Sequence, residues 1–452
     1  MEKYTSNHLI TFDQAKDYLF YKLTTSEKKL YGREKGIERT KEFMHLLGNP
    51  QEAIPTIHIA GTSGKGSVAY TLSNIIQSTG HSVGLVVSPH VYDIRERMQV
   101  NNAYISKEEF VDQLNELIPI IDKMDKSAYG RPTYYEVNLA LAFSIFQKKE
   151  LDFVVLETGI GGLYDSTNII ERQDKISVIT SLGIDHTEIL GNTIEEIAAQ
   201  KAGIINSYST AVALEPEPAA KLVIQSVAAE NNATLNFVKT SSCQYEGANS
   251  EGIGFSLLEN NNKTHYNLPL FGKYQAENAA LAINVLRLLS KRYDFSFSSK
   301  ELQNGLNNIR IPARTELRTI NNRQVIIDSA HNPQKISAFF SMLKEANLPE
   351  NSVVIFASKK GKNSKEELQE IKKYCNNIVI TGFFKNEPAQ FIRSESPAIL
   401  AKQAAELGFK VLAITDYPIE AFNQAVSLSS ENQPIIITGS MYMIGELNSN
   451  LR

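Results

Sequence analysis

The stretch Gly61-Thr-Ser-Gly-Lys65-Gly-Ser67 determines how the rest of the chain is interpreted, because it joins a strand-like run to a helix-like run. Residues 56–60 (TIHIA) suit a buried strand, and residues 68–78 carry apolar side chains at helical spacing. Glycines here let backbone N–H groups approach an anion at the amino end of a helix, where the helix dipole is positive. The stretch therefore predicts a phosphate-binding loop, with Lys65 at the outer phosphates and Ser67 as a ligand of Mg²⁺.

The spacing of this loop is unusual. Gly66 separates Lys65 from Ser67, so the loop departs from the common GxxxxGK[ST] pattern. A glycine-rich turn without function is the competing interpretation of these residues taken alone. The choice between a phosphate-binding loop and a turn without function therefore depends on the other motifs of the chain.

The composition is that of an ordinary globular protein. The chain has 452 residues, enough for two or three domains, with 42% hydrophobic and 21% charged residues. Its net charge of −4, with both signs interspersed, gives no indication of a nucleic-acid or membrane partner. The two cysteines, Cys243 and Cys375, stand in no CxxC or zinc-ligand pattern, which favours a reducing compartment. No apolar run approaches the length of a membrane span, so we expect a soluble cytoplasmic protein.

Strand-like and helix-like segments alternate from Thr56 onward, and the strands are apolar throughout. This pattern predicts an α/β fold with a mostly parallel sheet covered by helices on both faces. Residues 1–50 are expected to be helical, with a polar loop near residues 31–35. Residues 207–270 are more polar, with short alternating runs, and predict a peripheral antiparallel layer.

A second α/β unit is expected after a long helix predicted over residues 274–291. Its five apolar strands are QVIIDSA, SVVIFAS, NIVITG, FKVLAIT and PIIITGS. We expect three parts: an N-terminal nucleotide-binding domain with a helical lead-in (residues 1–306), a hinge (307–312) and a C-terminal α/β domain (313–452).

Ligands of parallel α/β sheets bind at the carboxyl ends of the strands, and two predicted strands are followed by metal-binding residue types. The run FVVL ends in Glu157, and the run ISVITSLG is followed by Asp185-His186. A carboxylate there can hold Mg²⁺ beside phosphates, and a neutral histidine can donate a lone pair to a metal. The structural alternatives are a helix cap for Glu157 and a core residue for His186.

Lys201 lies in a helix predicted over residues 193–204, with Asn192 or Thr193 as its cap and with small neighbours. A surface lysine is the default interpretation. A confined lysine near a metal can instead lose its proton and add CO₂, which turns a cation into an anionic carbamate suited to Mg²⁺.

In the second unit, the strand QVIID ends in Asp328-Ser-Ala-His331-Asn-Pro333. Pro333 disfavours helix at the residue before it, so Asp328 and His331 are expected in a loop at a strand end. Arg314, just beyond the hinge, can reach a phosphate with its rigid fork of N–H donors. Ordinary polar loop residues are the alternative for all three.

Eight blocks occur in order along the chain: HIAGTSGKGS, GLVVSPHVYDIRERMQVNN, LETGIGGLYDSTNII, SLGIDHTEILGNTIEEIAAQKAGII, LFGKYQAENAALA, PARTE, DSAHNP and ITGSMYMIGE. Together they resemble the folylpolyglutamate synthase and dihydrofolate synthase family of the Mur ligase superfamily. The resemblance extends from Gly36 to Glu446, nearly the whole chain. It implies a Mur-ligase-like fold, with a P-loop-containing, mostly parallel sheet domain and a smaller C-terminal α/β domain.

The resemblance implies an ATP-dependent amide ligase that phosphorylates a pterin-bearing carboxylate and transfers it to the amino group of L-glutamate. The implied ATP contacts are Gly64, Lys65, Gly66, Ser67, Asn278, Arg314 and Asp328. The implied Mg²⁺ ligands are Ser67, Ser88, Glu157, His186 and Lys201, and Lys201 matches the carbamylated lysine of the family. The residues that match the pterin-binding positions are Thr133, Tyr135, Asp165 and Ser166. The implied catalytic residues are Lys65, Lys201 and His331.

The implied substrates are ATP, L-glutamate and either a reduced folate or dihydropteroate, and the implied state is a monomer. Residues 358–363 (SKKGKN) depart from the family, which commonly has Asp-Lys-Asp there. Two other functions stay open: a related Mur-type ligase with a different acid or amino acid, and an ATP-binding regulatory protein without ligase activity. Phosphate release that requires both glutamate and a pteroate would exclude the regulatory protein.

Overall fold

The computed structural model of the chain describes residues 8–23, 34–259, 262–347, 351–387, 390–431 and 433–448. The predicted polar loop near residues 31–35 lies mostly outside these described residues. Where the chain is described again, at residue 34, it is already helical.

Eight strands form the larger sheet: β1 (Thr56–Ala60), β2 (Val83–Val86), β3 (Met98–Val100), β4 (Ala103–Tyr104), β5 (Phe153–Glu157), β6 (Ile176–Ile179), β7 (Thr210–Leu214) and β8 (Thr234–Val238). Their order in space is β4-β3-β2-β5-β1-β6-β7-β8. Strands β2, β5, β1, β6, β7 and β8 are parallel, whereas β3 pairs antiparallel with both β2 and β4. The central strands are buried along their whole length, as their apolar sequences predict.

The helices of this half are α1 (Phe12–Asp17), α2 (Glu34–Leu46), α3 (Lys65–Ser78), α4 (Lys107–Asp125), α5 (Tyr134–Lys148), α6 (Thr187–Leu190), α7 (Ile194–Ala202), α8 (Pro218–Glu230), α9 (Lys273–Arg292) and α10 (Ser299–Asn307). One apolar core lies between the sheet and α3, α9 and α10, and a second lies between the sheet and α2, α4 and α5. The sheet is therefore covered on both faces, and the predicted fold class is confirmed.

The prediction for residues 207–270 was wrong in part. Strands β7 and β8 continue the parallel sheet, and only β9 (Cys243–Asn249), β10 (Gly252–Glu259) and β11 (Asn262–Leu268) form a separate antiparallel sheet. β8 is the last strand of its sheet, and its side chains alternate between exposed and partly buried. That alternation resembles an antiparallel strand, because only one face of the strand is packed.

The C-terminal half has its own sheet, with strands β12 (Glu316–Ile320), β13 (Arg323–Ile327), β14 (Val353–Phe356), β15 (Asn377–Ile380), β18 (Lys410–Ile414) and β19 (Ile435–Thr438). Strands β16 (Phe384–Glu387) and β17 (Gln390–Arg393) form a separate hairpin. The helices are α11 (Pro333–Glu345), α12 (Ser364–Lys372), α13 (Pro397–Glu406), α14 (Pro418–Leu428) and α15 (Met441–Asn448). The sheet order is β12-β13-β19-β14-β15-β18, and all strands except β12 are parallel. The five predicted strands are present, and β12 is a sixth that the sequence reasoning missed.

Two hydrogen bonds from tyrosines join the halves. The Tyr92 hydroxyl donates to Glu316 Oε2 at 2.7 Å, and the Tyr245 hydroxyl donates to Glu345 Oε1 at 2.5 Å. No helix in the described part of the chain is long and apolar enough to cross a membrane.

A buried ion pair attaches α2 to the start of α5. Arg39 Nε and Nη2 donate to the two carboxylate oxygens of Glu136 at 2.8 and 2.7 Å, and the two residues are 5% and 1% exposed. Glu136 Oε2 also accepts from the backbone N–H of Thr133, the cap of α5. Removing one partner of such a pair leaves an uncompensated charge in the interior.

We predict that Arg39→Met lowers the free energy of unfolding by about 3–5 kcal/mol, because Glu136 loses the cation with which it forms its buried ion pair. The matched control is Lys41→Met, also on α2, which removes an exposed ion pair with Glu171 and should cost less than about 1 kcal/mol. Urea unfolding followed by circular dichroism measures both. Equal losses for the two variants would show that the buried pair has no special structural role.

Candidate active site

The loop of residues 61–67 leaves β1 and enters α3 with a backbone that only glycine adopts easily. Gly61 has φ +155° and Gly64, which precedes α3, has φ +87°. A Cβ atom on Gly61 would lie 1.8 Å from Thr180 Oγ1, and one on Gly64 would lie 2.5 Å from Asn278 Oδ1. Glycine at these two positions thus lets the backbone pass close to Thr180 and Asn278. Asn278, which the family resemblance implied as an ATP contact, lies directly against the loop.

The loop is also bound to the segment after β6. The Thr62 N–H donates to the Ser181 carbonyl at 2.9 Å, and Thr180 Oγ1 donates to the Ser63 carbonyl at 2.6 Å. These contacts fix the loop before any ligand is present, so its backbone N–H groups are preorganised at the amino end of α3.

Two lysine side chains converge on the carbonyl oxygen of Gly61. Lys65 Nζ donates to it at 3.1 Å and Lys201 Nζ at 3.0 Å. Lys201 is only 2% exposed, on helix α7, which is capped by Thr193. Burial and the neighbouring Lys65 lower the pKa of Lys201 to about 8. Lys201 is therefore a confined, readily deprotonated amine, unlike the surface lysine of the alternative interpretation.

Glu157 occupies the end of β5 beside the loop. It is 5% exposed, its Oε2 accepts from the Ser88 N–H at 2.9 Å, and a Cβ on Gly66 would lie 3.5 Å from its Oε1. Burial raises the pKa of Glu157, and Lys65 together with the Ser88 N–H opposes that rise. The structure thus brings together the loop, Ser88 and Glu157, and Glu157 is not a helix cap.

His186 is placed differently from Glu157. Its side chain is 47% exposed, and the acidic groups within 4 Å of its ring are Asp185, at 3.7 Å, and Glu188, at 3.9 Å. It is not the core residue of the alternative interpretation. The charge of the neighbouring Asp185 reaches Lys201 and partly offsets the fall in the pKa of Lys201.

Arg97 is a cation that the sequence reasoning did not single out. Its Nε donates to His90 Nδ1 at 2.8 Å, and no carboxylate of the described residues forms an ion pair with it. Its charge reaches Glu157 and Tyr135, and it partly offsets the rise that burial causes in the pKa values of both groups. The sequence signal was the run DIRERMQ, in which Glu96 accepts three backbone N–H groups and so folds the loop that carries Arg97.

The predicted pterin-binding residues include Tyr135, whose neighbours are Ser88, Arg97 and Glu157. Two of the predicted residues, Asp165 and Thr133, already accept hydrogen bonds from within the protein. Tyr135 is close to Ser88 and Asp165, and burial raises its pKa well above the usual range. Asp165 accepts from the Ile160 N–H and from the N–H and hydroxyl of Thr167, at 2.6 to 2.9 Å. Thr133 Oγ1 accepts from the Glu136 N–H as the cap of α5. Ser166 follows Asp165 in the same turn.

The C-terminal half contributes Arg314, Asp328 and His331. Asp328 is 7% exposed and accepts from the N–H groups of Thr315 and Ala330, each at 2.8 Å. Burial raises its pKa, and Arg314 opposes the rise. His331 Nδ1 donates to the Ser329 carbonyl at 2.8 Å, and burial and the nearby Lys335 lower the His331 pKa. His331 is thus neutral near pH 7, and its Nε2 accepts a hydrogen bond from Lys335 Nζ at 3.4 Å.

Charges reach across the cleft between the halves. Arg314 is close enough to Glu157 to oppose the rise that burial causes in the Glu157 pKa. Lys335, which sequence reasoning missed, is close enough to Asp185 for that carboxylate to oppose the fall that burial causes in the Lys335 pKa. Cations of the C-terminal half therefore approach carboxylates of the N-terminal half.

Comparison with known proteins identifies the family. The model of the Mur ligase middle domain matches residues 59–286, and that of the dihydrofolate synthetase C-terminal domain matches residues 313–452. The dihydrofolate synthase/folylpolyglutamate synthase of Bacillus subtilis is 33% identical over 93% of this chain and 96% of its own length. The chain belongs to the folylpolyglutamate and dihydrofolate synthase family of Mur ligases.

Solved structures of the synthase family have the same fold. A Mycobacterium tuberculosis folylpolyglutamate synthase complexed with ADP and AMPPCP is 28% identical, with a TM-score of 0.75 over 91% of this chain and 94% of that one. The Thermotoga maritima folylpolyglutamate synthase is 27% identical, with a TM-score of 0.80 over 97% of this chain and 96% of that one. The family predicted from the sequence is confirmed.

In this member of the synthase family, Gly61 gives a direct test of the loop. We predict that Gly61→Ala weakens nucleotide binding about 10- to 100-fold, because the added Cβ forces the backbone away from Thr180. Gly254→Ala is the matched control, since a Cβ there meets its nearest neighbour at 3.7 Å. Titration with a fluorescent ATP analogue measures both, with melting temperatures as a check on folding. An unchanged affinity in a folded Gly61→Ala variant would contradict the assignment.

Proposed function

We propose that the chain uses ATP to join L-glutamate to a pterin-bearing acid, either dihydropteroate or a reduced folate. The observation that carries the proposal is the loop of residues 61–67, with Lys65 and Glu157 beside it and Arg314 and Asp328 across the cleft. The relatives support it, because their names specify folylpolyglutamate and dihydrofolate synthesis and one solved structure holds ADP and AMPPCP.

The chemistry has two balanced steps. A carboxylate oxygen of the acid attacks the γ-phosphorus of ATP, the bond to the β-phosphate oxygen breaks, and ADP leaves with that electron pair. The neutral amino group of glutamate then attacks the acyl carbon, the C–N bond forms, the C–O bond to the phosphate breaks, and inorganic phosphate leaves with that electron pair while the nitrogen gives up one proton. Negative charge accumulates on the transferring phosphoryl group, so Lys65 and Arg314 are expected to stabilise the first transition state.

The donor set fits Mg²⁺. Within the described ranges there is no group of three or more Asp, Glu, His or Cys side chains able to hold a metal. Mg²⁺ is usually held by one or two carboxylates, with phosphates and water as its other ligands, which suits Glu157 with Ser67, Ser88 and carbamylated Lys201. The bound ion would neutralise charge on the phosphates. His186, exposed and beside Asp185, would have to turn toward the cleft to take part.

Lys201 is proposed to carry the CO₂ adduct. With its pKa lowered to about 8, about a tenth of the amine is neutral at pH 7, whereas an ordinary lysine is almost wholly charged. A carbamate nitrogen keeps an N–H, so the hydrogen bond to the Gly61 carbonyl can persist after the reaction. The adduct would also remove the repulsion between Lys201 and Lys65.

The remaining residues are proposed to position substrates. His331, whose ring is held neutral, is proposed to accept a proton from the glutamate amino group at Nε2 in place of its present hydrogen bond from Lys335. Tyr135, Asp165, Ser166 and Thr133 are proposed to line the pterin pocket, next to Ser88. Arg97, with no carboxylate partner of its own among the described residues, suits the acid's carboxylate.

The two halves, divided at the hinge of residues 307–312, are proposed to close over the substrates and exclude water from the acyl phosphate. We further propose that the enzyme works as a monomer in the cytoplasm, without nucleic acid or membrane as a partner. The net charge of −4 supports the part of this proposal that concerns nucleic acid and membranes, because it gives no attraction to either.

The test of function is product formation. Purified chain with ATP, Mg²⁺, glutamate and either dihydropteroate or tetrahydrofolate should release ADP and phosphate and yield the acid heavier by one glutamyl residue in mass spectrometry. Lys65→Ala should lower kcat/KM about 100- to 1000-fold, and the exposed Lys300→Ala, in the same half, serves as control. ATP binding without glutamate-dependent turnover would instead indicate a regulatory protein.

The carbamate has its own prediction. In ¹³CO₂-enriched buffer, the wild-type chain should show a carbamate signal by ¹³C NMR that is absent from Lys201→Ala. The signal and the activity should both fall as pH drops below about 8, because protonation removes the reactive amine. Added acetate should partly restore turnover to Lys201→Ala. Wild-type rates in folded Lys201→Ala would rule the carbamate out.

A further inference from the structure

A basic surface adjoins the active site in the C-terminal half. The loop of residues 358–363 leaves the carboxyl end of β14, which shares a sheet with β13 and β19. Asp328 and His331 follow the carboxyl end of β13, so the loop lies on the same side of the sheet. Lys362 is close enough to lower the pKa values of His331 and Lys335. The loop is thus at the border of the cleft.

Backbone hydrogen bonds join this loop to the end of the β16–β17 hairpin. The Lys360 N–H donates to the Arg393 carbonyl at 3.0 Å, and the Glu395 N–H donates to the Ser358 carbonyl at 2.7 Å. A further bridge links Lys359 with Ser394. Four cations therefore share one fixed surface, which we call the basic rim: Lys359, Lys360, Lys362 and Arg393.

The charge of the basic rim is not neutralised by the side chains that the structure describes around it. Lys360, Lys362 and Arg393 are exposed, and none of the four cations forms an ion pair with a described carboxylate, in contrast to Lys365 and Lys373 nearby. Glu395 is turned to the Ser396 N–H. Glu367, buried behind the loop with one oxygen lacking a hydrogen bond, has its pKa raised to about 7 by burial, so it offsets little charge.

A concentration of unpaired cations is unusual in a chain whose net charge is −4. Such a patch favours an anionic ligand with several charges, because each added charge contributes to the attraction. Under the proposed function, one substrate gains charge as the reaction proceeds: each glutamate added to the acid increases its negative charge by one.

We propose that the basic rim binds the carboxylates of a glutamyl chain already attached to the acid, so that long acceptors bind better than short ones. This inference rests on the proposed function and names a substrate class for the same cleft. The competing source of carboxylates is free glutamate. The two sources can be distinguished by experiment, because the glutamyl tail of the acceptor can be varied in length whereas free glutamate cannot.

The test compares acceptors of different length. The variant combines Lys360→Glu with Arg393→Glu and leaves Lys362, beside His331, unchanged. The control is Lys410→Glu, an exposed lysine at the start of β18 and so at the opposite end of the same sheet. KM is measured for tetrahydropteroyl monoglutamate, tetrahydropteroyl triglutamate and free glutamate.

We expect the double variant to raise KM for the triglutamate about tenfold, with little change for the monoglutamate or for free glutamate. In the wild type, KM for the triglutamate should rise with salt, since exposed charges are screened, and this dependence should weaken in the variant. Equal changes for both acceptors, or a change confined to free glutamate, would overturn the proposal.

The affinity for the triglutamate, measured by calorimetry without ATP, tests the basic rim independently of catalysis. Lys360→Gln is included as a milder variant. Weaker binding by the variants supports the rim, and binding equal to that of the wild type overturns it. Absence of ligation with every acceptor would refute the proposed function, while the binding data would still decide whether the rim recognises the chain.

Discussion

The hydrogen bonds from Lys65 and Lys201 to the carbonyl oxygen of Gly61 are the constraint on which the centre of this molecule depends. They hold two amines of like charge close together, one of them almost fully buried. Burial and repulsion both disfavour the charged form of Lys201, which is why its pKa falls to about 8. A site built in this way favours anions, and a phosphate or a carbamate would relieve the same electrostatic cost.

The parallel sheets explain how distant residues come to share this site. Glu157, Asp185 and the glycine loop lie at the carboxyl ends of three neighbouring strands in one half. In the other half, Asp328 and the loop of residues 358–363 follow β13 and β14, the two strands on either side of β19. The cleft lies where the two sets of strand ends meet. Arg314 and Lys335 of the C-terminal half approach Glu157 and Asp185 of the N-terminal half, so opposite charges meet where the halves adjoin.

Local patterns predicted much of the fold and little of the detailed packing. Thr193 was one of two expected caps for α7, and the structure shows its capping box with Glu196. Strand β8 was misassigned because an end strand packed on one face has the alternation of an antiparallel strand, whereas β7 is buried along its whole length and belongs to the parallel sheet. The placement of Asn278 against Gly64 agrees with the sequence resemblance. Arg97 and Lys335 were not predicted as site residues, because a single arginine or lysine in the sequence does not show which distant groups its side chain meets.

The sequence by itself determined the glycine loop, the alternation that specifies two α/β units, and the family, because these depend on residue types at short spacing. Only the tertiary structure decided that Lys201 is buried against Gly61 and that His186 remains exposed beside Asp185. Burial and charge interactions depend on which distant segments meet in space. They appear only when the chain is folded.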